Sequence, residues 1–325
     1  VVSHTQPPKF FWHLANFDGA HYQNIDRFGY LEKFHTAFFP LYPLIIRAFS
    51  LLSNNHLLTG LFISLISLLF SGILISMLAQ SSKPLISLVT FPLSFFLIAS
   101  YTESLFLLLS LVTWWSYKKK SFYLAALAGF LASLTRFYGI LLFPLLITDY
   151  FFSLKDKRFK ISSYSPILPF VAIPLGLVVY MVYLQINYHD PLLFFHSLKM
   201  WQKSTITLPA QTLYRYLKIF ISVAPNVWQY WIAVLEFTSF FIGLLISYLF
   251  FRQKKPAFSL YILAGTLIPS FTGTLQSLPR YLLVLFPIYL MADKMPKKYF
   301  IPLASLSFVL QIILFVGFLT GHFVA

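Results

Sequence analysis

Residues 57–79, with the sequence LLTGLFISLISLLFSGILISMLA, decide the class of fold to which this chain belongs. The run contains no charged residue. About 20 mainly apolar residues, each rising about 1.5 Å along a helix, are enough to cross the hydrocarbon core of a bilayer. The segment therefore predicts a membrane-spanning helix.

The composition of the whole chain agrees with a membrane protein. The chain is 58% hydrophobic and 20% aromatic, and only 10% of its residues are charged, whereas a soluble domain carries about 25%. The net charge of +15 comes from short basic runs between apolar segments, which membrane topology and contact with anionic lipid explain better than nucleic-acid binding. The chain has no cysteine, which excludes disulfides, thiolate metal sites and a cysteine nucleophile.

Further apolar segments predict an all-α, polytopic bundle that forms one domain over residues 1–325. Within it, residues 1–56 are expected to form an outer loop plus an interfacial helix, and residues 185–227 a second large outer loop. About ten spans are predicted, at residues 57–79, 84–99, 101–117, 122–136, 138–154, 166–184, 228–251, 257–276, 280–293 and 300–323.

Residues 37–53, AFFPLYPLIIRAFSLLS, are apolar but are not counted as a span. Pro40, Pro43 and Arg47 suit a helix that lies along the membrane surface, with proline near its start. Counting this segment as a span would also reverse the charge pattern of every later loop.

Basic residues in short loops predict the orientation of the bundle. If the loop 12–43 lies outside and each segment crosses once, the basic clusters all fall on the cytoplasmic side. All eight histidines then lie outside, as do the nine acidic residues except Asp149, Asp156 and Asp293. Any chemistry is therefore expected on the extracytoplasmic or lumenal face. The cytoplasmic clusters are Lys83, Lys118 to Lys120, the run 155–160, Arg252 with Lys254 and Lys255, and Lys294 with Lys297 and Lys298.

The outer loop, WHLANFDGAHYQNIDRFGYLEKFHTAFFPLYP at 12–43, is the longest polar stretch before the apolar segments. Asp18, next to the turn-permitting Gly19, is a candidate general base toward a hydroxyl group, but a helix-capping role is equally consistent with its spacing. Asp26 would lie near the same helical face, although a surface pair with Arg27 or Lys33 is the favoured interpretation.

Acids and arginines also occur at the ends of apolar segments. Glu103 follows Thr102 at a predicted helix start, which is an ordinary position for glutamate, but an acid at the rim of a bundle needs a partner. Arg136 and Arg280 have no acid nearby in sequence. They either extend to lipid headgroups or bind a substrate phosphate.

Further charged residues extend this outer face. Glu236 lies deep in its segment and either pairs with a basic group or lines a polar cavity. Lys199, Lys203, Arg215 and Lys218 are expected to form an outward basic surface.

Other chemistries have little support. The sequence has no glycine-rich phosphate loop, no HExxH pair and no GxSxG elbow. No cofactor is required by the pattern, and no metal site is assigned. A divalent metal held by Asp18 together with Asp26 or Glu103 stays open.

Several stretches resemble one family of membrane enzymes. FDGAHYQNIDRFGY at 17–30 followed by AFFPLYPLIIR at 37–47 is similar to the first outer loop of the PIG-V-type mannosyltransferases, which carry out the second mannose transfer of GPI-anchor assembly, and of their prokaryotic relatives. These belong to the GT-C class. SYTESLFLLLSL at 100–111, LASLTRFYG at 131–139 and SLPRYLLVLFP at 277–287 also fit, so that the resemblance extends from about residue 12 to residue 287.

The resemblance implies transfer of a sugar, expected to be mannose, from a polyprenyl-phosphate donor to a hydroxyl of a lipid or glycan acceptor on the outer face. It implies that Asp18 is the essential acid. Combined with the phosphate-binding chemistry of arginine, it predicts the donor phosphate at Arg280 and Arg136. Phe17 stands where the family usually has tryptophan, and a membrane helix usually precedes this loop, so residues are expected to be missing upstream of Val1. Residues expected to position acceptor or donor are His21, Tyr22, Asp26, His35, Glu103 and Tyr281.

Two functions outside this class stay open. One is a transporter or flippase for lipid-linked sugars, although such proteins tend to have paired repeats and midplane charges. The other is a non-catalytic membrane scaffold that binds a true transferase.

Overall fold

The computed structural model describes residues 9–154, 165–201, 203 and 206–325, and across these residues the protein is helical and has no strand. The basic run 155–160, with Asp156, lies outside the described residues. In chain order the α-helices are α1 Lys9–His13, α2 Asp18–Phe28, α3 Leu41–Ser53, α4 His56–Leu78, α5 Lys83–Thr90, α6 Glu103–Lys118, α7 Phe122–Thr135, α8 Leu142–Ser153, α9 Ala172–Tyr188, α10 Leu193–His196, α11 Pro209–Ser222, α12 Trp228–Arg252, α13 Pro256–Ser270, α14 Leu278–Leu283, α15 Pro287–Met291 and α16 Lys297–Leu319.

Among the described residues, four helices are long and apolar enough to cross a membrane, so the predicted count of about ten spans is not confirmed. Most of the other apolar helices are shorter. α6 has 16 residues, which is about 24 Å of helix against a hydrocarbon core of about 30 Å. The four long helices are His56–Leu78, Pro166–Tyr188, Trp228–Arg252 and Lys297–Leu319.

Proline interrupts two segments that the sequence predicted as continuous spans. In segment 84–99, α5 ends at Thr90 and a short 3₁₀-helix, Ser94–Leu97, follows, because Phe91, which precedes Pro92, takes extended backbone angles. Segment 280–293 is divided into α14 and α15, and Pro287 begins the second helix, since proline fits the first turn but not a helix interior.

Helix α6 forms the centre of the bundle. Eleven of its 16 residues are buried, so it is surrounded on all sides. By contrast, α16 buries only four of its 23 residues and presents the remaining, mostly apolar surface outward. Small buried residues such as Ser104, Ser110 and Ser116 allow neighbouring helices to approach α6 closely.

Basic residues from separate loops gather at one end of the bundle. Lys255 lies within electrostatic reach of Lys118, Asp293 and Lys294, and Lys83 Nζ donates to the backbone carbonyl of Met295 at 2.7 Å. Helix α6 runs from Glu103 to this end at Lys118, so Glu103 lies about 22 Å away. The lysine-rich end of the bundle therefore lies away from Glu103, and the side of the membrane that each end faces stays a prediction.

Helix α3 packs one face against the protein and exposes apolar side chains on its other faces. Its buried residues Tyr42, Ile46 and Ser50 recur every four positions along one face. On its other faces Leu44 and Leu52 are exposed. Its location at a membrane surface stays a prediction.

Gly139 permits a close approach beside Arg136. The 3₁₀-helix Phe137–Leu141 folds back on the end of α7, and a Cβ added at Gly139 would lie 2.3 Å from the backbone nitrogen of Ser133. Rigid backbone cannot yield to such an overlap without moving the turn that carries Arg136.

Replacing Gly139 by alanine is expected to destabilise the protein by about 1–3 kcal/mol, the usual cost of overpacking. The measurement is the thermal denaturation midpoint of detergent-purified protein. Gly72→Ala is the control, since its added Cβ meets Leu85 Cδ1 at an ordinary 3.4 Å and alanine favours a helix interior. Equal midpoints for the Gly139→Ala and Gly72→Ala variants would show that the overlap is relieved elsewhere.

Candidate active site

The carboxylate of Asp18 faces a buried arginine. Asp18 is the first residue of α2, which follows Phe17 in the left-handed region with φ 56. Its Oδ2 accepts a hydrogen bond from Arg280 Nη2 at 2.9 Å, and its side chain keeps 27% of its surface exposed. The helix-capping alternative is therefore not observed, because this carboxylate pairs with Arg280 across the fold.

Glu103 joins the two arginines. Its Oε1 accepts hydrogen bonds from Arg280 Nε at 3.0 Å and Arg280 Nη2 at 2.8 Å, and it forms an ion pair with Arg136 Nη1 at 2.7 Å. Glu103 is fully buried, and the side chains of Arg136 and Arg280 are 12% and 8% exposed. Glu103 is the first residue of α6, as predicted, and the two arginines are the partners that an acid at the rim of the bundle needs. The alternative in which these arginines extend to lipid headgroups is wrong, because both are paired inside the protein.

We call Asp18, Glu103, Arg136 and Arg280 the ion network. With the acids ionised, two carboxylates balance two guanidinium groups, as burial of charge requires. The Oε2 atom of Glu103 is buried and has no hydrogen-bond partner among the described residues. The network is thus neutral, yet it keeps a partly exposed carboxylate and an unused acceptor.

Aromatic rings and hydroxyls hold the guanidinium groups in place. Arg280 lies over the rings of Phe96 and Tyr101, with 4.7 Å and 5.0 Å to their centroids. Arg136 lies 5.7 Å from the ring centroid of Tyr281 and also donates to Thr102 Oγ1 at 3.2 Å.

Tyr22 also belongs to these surroundings, because its hydroxyl lies 3.4 Å from Thr102 Oγ1. Burial raises the pKa of the Tyr22 hydroxyl, so it stays protonated at neutral pH. Of the residues expected to position a substrate, Tyr22, Glu103 and Tyr281 thus lie at or beside the ion network.

His21 and His35 lie in an aromatic cluster beside the network. The ring of His21 is 5.5 Å from that of His35 and 5.1 Å from that of Phe38. Burial lowers the pKa of both histidines, which leaves them neutral at pH 7. His21 follows Asp18 by about one helical turn, and the charge of Asp18 acts on it.

Asp26 is not part of the ion network, and its expected surface pair with Arg27 or Lys33 is wrong. The residue is buried, and its Oδ1 lies 2.8 Å from His56 Nδ1. Eight residues of helix carry it about 12 Å along the axis from Asp18 and about 80° around it, which places it against α4 rather than Arg280. Burial raises the pKa of the Asp26 carboxyl to about 7.

A second buried polar cluster supports the segment that leads into α14 and Arg280. Glu236 accepts a hydrogen bond from the Tyr216 hydroxyl, and its Oε1 accepts from the backbone nitrogen of Ser277 at 3.3 Å. The Tyr216 hydroxyl in turn accepts from the backbone nitrogen of Leu275 at 3.0 Å. Glu236 therefore hydrogen-bonds to a hydroxyl and a backbone nitrogen, and the basic group considered above is Lys203, whose charge acts on it.

Lys203, expected on an exposed basic surface, is buried as well and donates to the carbonyl of Gln276 at 3.1 Å. Sequence reasoning did not identify Tyr216 or the burial of Lys203, since both depend on a loop that packs against distant helices. With its hydrogen bonds to residues 275–277, this cluster fixes where α14 begins.

Removing the Tyr216 hydroxyl tests the role of this cluster. Tyr216→Phe leaves both Glu236 Oε2 and the Leu275 nitrogen without their bond, which is expected to cost about 1–3 kcal/mol. The denaturation midpoint in detergent is the readout, and Tyr214→Phe, at an exposed position of the same helix, is the control. A Tyr216→Phe midpoint as high as that of the control would rule out a stabilising role.

The residues described offer limited support for a metal site. Among them, no group of three or more His, Cys, Asp or Glu side chains lies close enough to hold an ion. Asp26 lies about 12 Å along α2 from Asp18 and contacts His56, so the structure does not bring these two carboxylates together, and a metal stays a prediction. The remaining pair, Asp18 and Glu103, has Arg280 between its members, so a cation would first have to displace a guanidinium group.

The fold and this site define a class: an all-helical membrane protein with a buried network of two acids and two arginines at one end of its bundle. In comparisons with protein families, curated proteins and solved structures, no match to the chain is found.

Proposed function

We propose that the protein is an inverting glycosyltransferase that acts at the outer face of the membrane. It moves a sugar, with mannose the first candidate, from a polyprenyl-phosphate donor to a hydroxyl of a lipid or glycan acceptor. The observation that carries the proposal is the partly exposed Asp18 carboxylate, 2.9 Å from an arginine that is itself anchored by a buried glutamate.

Charge balance indicates how the donor enters. The phosphate of a polyprenyl-phosphate sugar is a diester with one negative charge, as is the carboxylate of Asp18. The phosphate can therefore replace Asp18 on Arg280 and leave the buried charges balanced. Arginine suits this exchange because its guanidinium donates to phosphate oxygens in pairs.

The displaced carboxylate is then free to act as a base. Asp18 takes the proton of the acceptor hydroxyl, and the acceptor oxygen attacks the anomeric carbon from the side opposite the phosphate. The bond from this carbon to the phosphate oxygen breaks, its electron pair leaves with the lipid phosphate, and the configuration inverts. Arg280 and Arg136 stabilise the charge that develops on the leaving phosphate.

Glu103 has a supporting role in this scheme. Because it pairs with both arginines, it fixes their separation before the donor arrives. A preorganised pair of cations does not have to reorient during the reaction. This preorganisation is the main source of transition-state stabilisation in sites of this kind.

The stretches that resemble the PIG-V-type enzymes support the same assignment. Each of four stretches supplies one member of the ion network: FDGAHY supplies Asp18, SYTES Glu103, LTRFYG Arg136 and SLPRY Arg280. These four residues are separated by as many as 262 positions in sequence, so local structure does not explain why their side chains meet.

A transfer assay tests the proposal. Purified protein in lipid nanodiscs is given polyprenyl-phosphate mannose with radiolabelled sugar and a panel of hydroxyl acceptors, and label in the acceptor is measured. Transfer is the expected result. In liposomes, movement of labelled donor between leaflets without product would instead indicate a flippase, and neither activity would indicate a scaffold.

A further inference from the structure

A groove beside α3 has the character of a lipid site and is separate from the ion network. It has a volume of about 400 Å³, within the range of small-molecule sites, about 300–1,000 Å³. Its walls come from α3, α9 and the end of α7, and include Leu44, Leu134 and Val179. Since α9 belongs to a candidate membrane span and Leu44 and Val179 are both about half exposed, hydrocarbon chains can enter from the side.

The lining of the groove is apolar apart from a single charge. Of the described residues that form it, Arg47 is the only charged one. The hydroxyls of Tyr30 and Tyr180 donate to the backbone carbonyls of Phe38 and Thr36, both at 2.7 Å, so these residues contribute mainly their rings to the walls. An occupant must therefore be a hydrocarbon chain with a polar group near Arg47.

The guanidinium of Arg47 is fixed at the edge of this groove. Its Nε and Nη2 donate to the carbonyls of Asp26 and Ile25 at the end of α2. Its Nη1 has no hydrogen-bond partner among the described residues, and the residue is exposed. This nitrogen can therefore bind an external anion.

The charge around Arg47 favours a negatively charged headgroup. Arg27 is exposed, and both it and Arg47 act electrostatically on Asp26 and His56. The nearest acid, Asp26, has a fully buried side chain engaged with His56. Two guanidinium groups thus face the surroundings without an exposed carboxylate of their own.

We infer that this groove binds an anionic membrane phospholipid, with its phosphate at Arg47 and Arg27 and one acyl chain between α3 and α9. The inference does not depend on the proposed transfer reaction. Such a lipid would bridge Arg27 on α2 and Arg47 on α3. It would thereby add to the hydrogen bonds by which Arg47 already holds the end of α2.

Native mass spectrometry tests the inference. The protein is released from nanodiscs of equal parts phosphatidylglycerol and phosphatidylcholine, and the lipid retained on it is counted. Wild type is expected to retain phosphatidylglycerol about tenfold over phosphatidylcholine, and Arg27→Gln to lose most of this preference, as for removal of a charge-assisted contact. Arg47 is left unchanged, since its replacement would also remove the bonds to α2.

Filling the groove provides a second, independent variant. Val179→Phe places a ring in the groove and is expected to reduce retention of both lipids about tenfold. Val182→Phe is its matched control, because both valines are 51% exposed on α9 and only Val179 lines the groove.

Three results would overturn the inference. They are equal retention of the two lipids by wild type, full retention by Val179→Phe, and displacement of phosphatidylglycerol by equimolar polyprenyl phosphate. The last result would assign the groove to the sugar donor. Transfer activity is not the readout, so failure here is distinguishable from failure of the proposed function.

Discussion

Asp18→Asn is expected to abolish sugar transfer while leaving the protein folded. Asparagine has nearly the same shape as aspartate, but its amide cannot take the proton of the acceptor hydroxyl. Loss of a general base typically lowers the rate by about 10²–10⁴-fold. The folded state should survive because the Asp18 side chain is partly exposed and Arg280 keeps its bonds to Glu103.

Initial rates with labelled polyprenyl-phosphate mannose, compared with the denaturation midpoint in the same detergent, measure both parts of this result. Glu32→Gln is the matched control, since it neutralises an exposed acid of the same outer segment that lies outside the ion network. Turnover of the Asp18→Asn variant within about tenfold of wild type would exclude Asp18 as the base.

Helix positions were the more predictable part of the fold. Segments 57–79, 122–136 and 228–251 correspond to His56–Leu78, Phe122–Thr135 and Trp228–Arg252, because apolar runs of helix length leave few alternatives. The number of spans was less predictable, since several apolar segments form helices too short to cross alone. Apolar composition indicates burial, and it does not distinguish burial in lipid from burial in protein.

The candidate site divides in the same way. Asp18 was selected from the polar outer loop, beside Gly19 and within the stretch that resembles the PIG-V-type enzymes. Arg136 and Arg280 were selected because charges at the ends of apolar segments need a reason to be there. The connecting role of Glu103 was missed, because Arg280 lies 177 residues away in sequence and no local pattern predicts a contact between residues so far apart. Asp26 was misplaced for a different reason: a helical period identifies a shared face only approximately, and an offset of about 80° over eight residues turned it toward His56.

Glu103→Gln is expected to have the largest effect on stability. The glutamine keeps the shape of the side chain but removes the negative charge that both buried arginines share. Breaking a buried pair by removing one partner typically costs about 3–5 kcal/mol, and here the two guanidinium groups would also repel each other. A lowered denaturation midpoint, with loss of transfer, is the expected measurement.

A matched glutamate and a second-site change separate this explanation from a general loss of packing. Glu236→Gln alters another buried glutamate, whose hydrogen bonds come from a hydroxyl and a backbone nitrogen. One cation, Lys203, acts on it electrostatically, where Glu103 has two arginines in direct contact, so the cost should stay near about 1–3 kcal/mol. In Glu103→Gln, Arg280 still has Asp18 as its partner, whereas Arg136 loses its ion pair. Adding Arg136→Met removes that uncompensated cation and should recover part of the lost stability, as a double-mutant cycle detects. Two results would contradict this explanation: Glu103→Gln no more destabilising than Glu236→Gln, or no recovery from the second change. Either result would show that the charges of the ion network do not stabilise this end of the bundle. Glu103 would then not be the fixed partner that Arg280 needs when it exchanges Asp18 for a phosphate.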